Sequence, residues 1–215
     1  MSEKITVVIP TYNRAAILKA RSIPSVLKQT YQNFELIIVG DCCTDNTEAI
    51  IKEFKDPRIR WENLKQRGNY PPKGIARWYV AGIVPMNRGY DLATGSWIAD
   101  LDDDDEFLPN HLEDLLKCGT ENQAGFVYGI TKILDKKLIA HLKKDTIGEY
   151  PPRISGQTRS TYMHRTDLKL KYDINCWKIN EPGDWNILKR ALMAKVKVAF
   201  CNKVITVHYP ERTNK

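Results

Sequence analysis

The stretch WIADLDDDDEFLP, residues 97–109, sets four aspartates, Asp102 to Asp105, directly after five residues that read as a buried strand. Adjacent carboxylates repel one another, so such a run at the end of a core strand calls for a counter-charge. Closely spaced oxygen ligands suit a hard divalent cation, Mg²⁺ or Mn²⁺. Such ions commonly take few protein carboxylates and complete their shell with phosphate oxygens. The plainer alternative is an acidic turn that caps the following helix through its dipole. One or two aspartates would suffice for that, and four favour the cation.

The elements that must position this run follow from the hydrophobic pattern. ITVVIP (5–10), FELIIVG (34–40) and RIRWENL (58–64) read as strands. Between them, residues 13–30 carry helical spacing after an Asn N-cap, with a kink or break expected at Pro24, and residues 44–54 read as a capped helix. This β-α-β-α-β order predicts an α/β fold with a mainly parallel, doubly wound sheet. Ligands bind such sheets beyond the carboxyl ends of the strands, where this chain has the polar loops PTYNR and GDCCTDN. Residues 65–86 begin as a Gly- and Pro-rich loop, 87–95 read as a short helix closed by Gly95, and 109–119 as a helix with Pro in its first turn. From about residue 125 the pattern turns mixed. GFVYGITKI and KKLIAHL predict a hairpin, 156–165 a strand, 182–196 a helix, and VKVAF and KVITVHY two closing strands.

The bulk numbers set bounds on function. The chain has 215 residues, 33 Lys+Arg against 26 Asp+Glu, and a net charge of +7. A basic excess suits nucleic acid, an anionic membrane or a phosphorylated ligand, or solubility alone. The lysines are scattered rather than interleaved with aromatics, which argues against a nucleic-acid partner. No run approaches the ~18 apolar residues of a membrane span. The first residues lack a signal-peptide pattern. The five cysteines are odd in number and without CxxC spacing, so neither a disulfide framework nor a zinc site is expected, and a cytoplasmic location is.

Four segments in order, VVIPTYNR, LIIVGDCCTDNT, NRGYDLATGSWIADLDDDDEFLPNHLE and EPGDWNILKRAL, resemble family 2 glycosyltransferases of GT-A fold. The resemblance implies one domain over 1–215, with 1–108 binding the nucleotide-sugar and 109–215, a smaller mixed half, shaping the acceptor site. It implies that Pro10, Thr11, Tyr12 and Arg14 wall the uracil and diphosphate. Asp41 matches the acid that accepts from the base N3–H. Asp102 and Asp104 fit the DxD pattern: Asp104 is the implied metal ligand, with Asp102 and Asp103 reaching the ribose and the metal's waters. His208 is either a further metal ligand or a satisfied core residue. Asp184, in PGDW, matches the catalytic base. Two departures stand out. The family's arginine before the DxD strand is replaced by Met86, leaving Arg77 in GIARWYV as the candidate for the diphosphate contact, and Cys42 and Cys43 replace small residues in the turn after the second strand.

Transfer of a sugar from a nucleotide diphosphate needs charge neutralisation on the leaving group and a base for the acceptor hydroxyl. A Mn²⁺ or Mg²⁺ ion with Arg14 suits the first need. A single carboxylate suits the second, and in-line attack then inverts the anomeric centre. Asp184 is expected at a helix N-terminus, where the dipole favours its ionised form; the alternative is a plain N-cap. Glu181 is either an acceptor-orienting group or a loop cap, and Trp185 either a sugar platform or a core residue. The acceptor is expected to be a glycan or a lipid-linked glycan, the latter with peripheral membrane contact. Two competing classes are a sugar nucleotidyltransferase, which would carry a Gly-rich loop in place of PTYNR, and a non-catalytic carbohydrate-binding relative, which would not need Asp104 and Asp184.

Overall fold

The computed structural model describes residues 3–134, 145–154 and 156–209. Nine strands form one mixed sheet in the order β3-β2-β1-β4-β8-β6-β9-β5, with β7 on β6. They are β1 (Ile5–Thr11), β2 (Phe34–Gly40), β3 (Ile59–Asn63), β4 (Trp97–Asp100), β5 (Glu106–Phe107), β6 (Phe126–Ile133), β7 (Thr146–Ile147), β8 (Tyr162–Arg165) and β9 (Val198–His208). β3, β2, β1 and β4 run parallel, as the alternation predicts. β8 then enters antiparallel to both β4 and β6.

β1 is apolar on both sides because both faces of the sheet are covered. Val7 and Ile9 point into one core layer with Leu18, Ile23 and Leu112. Val8 points into the other with Met86, Tyr90 and Ile187. The first layer lies under α1 (Ala15–Ile17), α2 (Ile23–Leu27) and α6 (His111–Glu121). The second lies under α5 (Ile83–Leu92) and α7 (Gly183–Met193). The shorter α3 (Thr47–Glu53) and α4 (Ile75–Tyr79) flank the sheet's ligand edge.

Several expectations needed correcting. The bend near Pro24 is a π-helical turn, Leu18–Ser22, between α1 and α2. The wider turn eases the clash of the proline ring with the preceding carbonyls. Asn13 does not cap a helix. It sits at φ 53, and its side-chain oxygen accepts the Thr44 N–H at 2.8 Å, tying the first two ligand-edge loops together. The helix expected at 87–95 starts earlier, at Ile83, because Pro85 falls in its first turn, where a missing N–H costs nothing. VKVAF and KVITVHY are not two strands but one, β9, whose pairing with β6 slips near Tyr128–Thr131. The strand expected at 156–165 is shorter: a 3-10 turn, Arg159–Thr161, precedes β8. KKLIAHL lies outside the described residues. Among the described residues no helix is long and apolar enough to cross a membrane.

Candidate active site

β4 ends at Asp100, and the chain turns tightly through the four aspartates. The Asp105 N–H donates to the Asp102 carbonyl at 3.1 Å, after which β5 begins. Each of the four carboxylates has a different environment. Asp102 receives the Arg159 Nε–H at 2.9 Å and a second bond from the same guanidinium, while its own N–H donates to Ser160 Oγ at 3.0 Å. Asp103 accepts from Thr11 Oγ1 at 2.7 Å and from Arg14 at 3.3 Å. Burial pushes its carboxyl up to about 7 against the pull of Arg14, with repulsion from Asp104 and Asp102 adding to the rise. Asp104 accepts from Arg14 at 2.6 Å, and its carbonyl accepts from Arg21 at 2.6 Å. Asp105 is buried. It accepts from Ser160 Oγ at 2.5 Å and meets His208 Nδ1 at 2.6 Å. Burial raises Asp105 to about 6, and this partner raises His208 to about 8 although its own burial opposes that, so near neutrality the two form an ion pair.

The repulsion within the run is thus met in part by the protein itself, through Arg14, Arg159 and His208. Among the described residues no three His, Cys, Asp or Glu side chains converge into a ready-made metal cage. The donor set nevertheless fits a hard cation that takes one or two carboxylates plus phosphate oxygens: Asp104 and Asp102 keep partly exposed oxygens. The contact with Asp105 occupies His208 Nδ1, and in the ion-paired form Nε2 carries a proton that it must lose before it can ligate a metal.

The residues expected on the nucleotide side lie at the same sheet edge. Asp41 follows β2 and is 2 % exposed. It accepts the Gly68 N–H at 2.9 Å and Arg67 Nε–H at 3.4 Å, and its own N–H donates to the Thr11 carbonyl at 2.8 Å. The Arg67 guanidinium lies 3.4 Å over the Tyr12 ring. Pro10 is buried near the end of β1, under Gly82, which takes φ 72 there and leaves only 3.3 Å for a Cβ. Cys42 holds the turn after β2 with φ 62, and Cys43 Sγ lies 3.6 Å from the Thr11 carbonyl.

Arg77 stands apart from this group. Its Nε–H donates to the Pro71 carbonyl at 2.7 Å and its guanidinium faces Tyr70. The arginine that reaches the aspartate turn from the other side is Arg159, which sequence reasoning missed. The polar run Gln157–Thr161 inside a supposed strand was the available signal. Met86 explains why its own position supplies no arginine: it is fully buried between α5 and the sheet.

Asp184 lies in the first turn of α7. The dipole was expected to dominate its ionisation. Instead burial raises it to about 6, against the Trp185 N–H at 2.7 Å and the charge of Arg159. Asp102 adds to that rise, so the base candidate lies near enough to the aspartate turn to feel its charge. Glu181 bonds Lys189 and, at 2.9 Å, the Asn186 amide, which marks it as a loop tie rather than a free acid. Asp100 accepts hydroxyls from Tyr90 and Tyr172, each at 2.7 Å, and burial pushes it up to about 7. The other two histidines among the described residues are structural. His111 stacks on Phe107 and contacts the Ile205 carbonyl, and His164 contacts the Arg165 carbonyl. Burial lowers them to about 3 and about 4.

A parallel sheet with polar loops and an aspartate turn at its carboxyl edge, continued by an antiparallel half, is the GT-A glycosyltransferase fold. The chain superposes on S. aureus TarS 1–349 bound to UDP with a TM-score of 0.73 at 18% identity, covering 96% of this chain and 60% of that one. It superposes on the mannosyltransferase PcManGT of Pyrobaculum calidifontis, solved with GDP-Man and Mn²⁺, with a TM-score of 0.72 at 14% identity, covering 100% and 59%. The family model for glycosyl transferase family 2 matches residues 6–182, and the chain belongs to that family. In sequence it is 36% identical over 136 residues to the UDP-Glc:alpha-D-GlcNAc-diphosphoundecaprenol beta-1,3-glucosyltransferase WfgD of Escherichia coli, covering 63% of this chain and 48% of that protein. It is also 36% identical over 131 residues to the glycosyltransferase GlyG of Streptococcus pneumoniae, covering 60% and 39%. The chain therefore spans about half the length of such relatives, or less.

Proposed function

We propose that this chain transfers a sugar from a UDP-sugar to a hydroxyl of a glycan, most fittingly a lipid-linked one, with inversion at the anomeric carbon. The observation that carries this reading is the shared Arg159, which binds Asp102 in the aspartate turn and whose charge also acts on the buried carboxylate Asp184. Asp41 supports a uracil base because a carboxylate accepts the N3–H of that ring, and its four lone-pair sites leave room beside Gly68 and Arg67. The E. coli relative carries UDP-Glc and a diphosphoundecaprenol acceptor in its name, and TarS has been solved with UDP-GlcNAc.

In this reading Arg14 donates to diphosphate oxygens once the donor arrives, releasing part of its hold on Asp103 and Asp104. Asp104 and Asp102 would hold a Mn²⁺ or Mg²⁺ ion, and His208 Nε2 would join them only on losing the proton that its ion pair with Asp105 keeps near neutrality. When bound, it supplies Lewis-acid neutralisation of the leaving diphosphate. Arg159 keeps Asp102 in place and adds positive charge to the site. Asp184 takes the proton from the acceptor hydroxyl as the oxygen attacks the anomeric carbon and the bond to the diphosphate breaks. With no second nucleophile assigned, attack is direct and the product anomer is opposite to the donor's. Titration calorimetry with UDP-, GDP- and dTDP-sugars, with and without Mn²⁺, tests the donor side, and NMR of the new linkage tests the stereochemistry. Preference for GDP or dTDP, or a retained anomer, would overturn the corresponding part.

A further inference from the structure

α4 carries two large apolar side chains into solvent: Ile75 is 62% exposed and Trp78 is 68% exposed. α4 packs against the 3-10 turn Cys176–Ile179, whose last residue, Ile179, is 60% exposed. Residues of this size are usually covered, and three of them on two touching segments make a patch rather than scattered exceptions. Exposed Lys73 and Lys178 flank them. The nearby acid Glu181 is already neutralised by Lys189, and Asp173 is turned back onto the Asn175 N–H at 2.8 Å. The patch thus combines aliphatic and indole side chains with two exposed lysines, Lys73 and Lys178.

Its position gives the combination a use. A Cβ on Gly183 would meet the Tyr79 carbonyl at 2.9 Å, so the end of α4 rests against the start of α7, one residue from Asp184. We propose that the Ile75–Trp78–Ile179 patch docks the protein on an anionic membrane surface, so that Asp184 opens toward an acceptor presented there. Lipid-facing proteins place tryptophan at the headgroup level, drive aliphatic tips below it, and set lysines against acidic headgroups. A sugar-stacking platform would use the indole face but gives no role to two exposed isoleucines and two flanking lysines. The proposal rests on the reading of a lipid-linked acceptor, yet docking itself requires neither donor nor turnover.

The test is co-sedimentation of the 215-residue chain with vesicles of phosphatidylcholine containing phosphatidylglycerol, beside vesicles of phosphatidylcholine alone. The chain sediments with the anionic vesicles only, and less so as salt rises. Lys73→Gln and Lys178→Gln each weaken partition about fivefold, the worth of one basic residue near an acidic surface. The triple variant Ile75→Ser, Trp78→Ser, Ile179→Ser stays in the supernatant while its heat of UDP binding equals the parent's, which shows a folded donor site. The proposal fails if the parent ignores anionic vesicles or if the triple variant sediments equally well. It also fails if soluble oligosaccharide quenches Trp78 fluorescence while vesicles do not bind, since the patch is then a glycan platform. Loss of UDP binding in the parent with vesicle docking intact would count against the proposed donor and leave the docking surface standing.

Discussion

At the scale of single residues, Asp184 shows two local forces in opposition. The first turn of α7 favours a carboxylate through its dipole, and burial disfavours it. Burial wins and lifts the group to about 6. A base must be deprotonated to work, so kcat should fall about tenfold per pH unit below 6 and level off above 7, measured as initial rate against pH at saturating donor. Asp184→Asn keeps the side chain's size and capping ability and removes its basicity. It should leave UDP affinity nearly intact and lower transfer roughly 10²–10⁴-fold, with the acid limb of the pH profile gone. A near-parental rate would leave Asp184 as an N-cap only. Asp41 makes a different kind of contribution, to recognition. Asp41→Ala should weaken UDP binding with little change in the rate from saturated enzyme. Calorimetry that returns the parent's affinity would remove it from the base pocket.

At the scale of elements, the site depends on how closely α5 presses on β1. Gly89 faces Val8 so tightly that a Cβ would lie 2.2 Å from Val8 Cγ1. Gly89→Ala should therefore overpack that contact and cost about 1–3 kcal/mol, a melting-temperature drop of several degrees for a chain of this size. Adding Val8→Ala should restore part of the loss, because it removes the atom struck, and scanning calorimetry of the double variant reads this out directly. The parallel half was legible because β1 and β2 are mainly apolar runs, interrupted only by Thr6 and Glu35 ahead of their ends, and the intervening loops carry Gly, Pro, Asn and Asp. The aspartate turn shows in the pattern as the point where an apolar run gives way to polar residues, whereas Asp41 and Asp184 were singled out by the family resemblance, Asp184 lying in the polar stretch ahead of α7. Arg159 and Arg67 were not legible, since each reaches its partner from a distant loop by tertiary packing. Nor was α4, which is five residues long and follows two prolines. The split roles of the four aspartates were also hidden, because spacing alone does not say that Asp105 turns inward to His208.

At the scale of the whole molecule, acidic groups at and near the site store unfavourable charge until a ligand arrives. Asp103 and Asp100 are raised to about 7 and Asp184 to about 6, from an ordinary 3.8. A carboxyl that binds its proton more tightly when folded contributes less stability once deprotonated. These three therefore cost the unliganded protein stability as pH rises from about 4 through 7, even while Arg14 and Arg159 limit the loss. A divalent cation with UDP would reverse that trend, because it binds the deprotonated form of the folded site and not the unfolded chain. Mn²⁺ with UDP at about 100 times its dissociation constant should add about 2.7 kcal/mol, a rise of roughly 5–10 °C in melting temperature. The rise should be larger at pH 8 than at pH 6, since fewer protons must be displaced at the higher pH, and EDTA should abolish it. Asp104→Asn should keep the parent's melting temperature without ligand within a few degrees and lose the Mn²⁺-dependent part of the gain. Differential scanning fluorimetry over this grid of pH, metal and UDP separates the outcomes. A gain from UDP alone that ignores both EDTA and Asp104→Asn would mean that Arg14 and Arg159 neutralise the diphosphate without a metal.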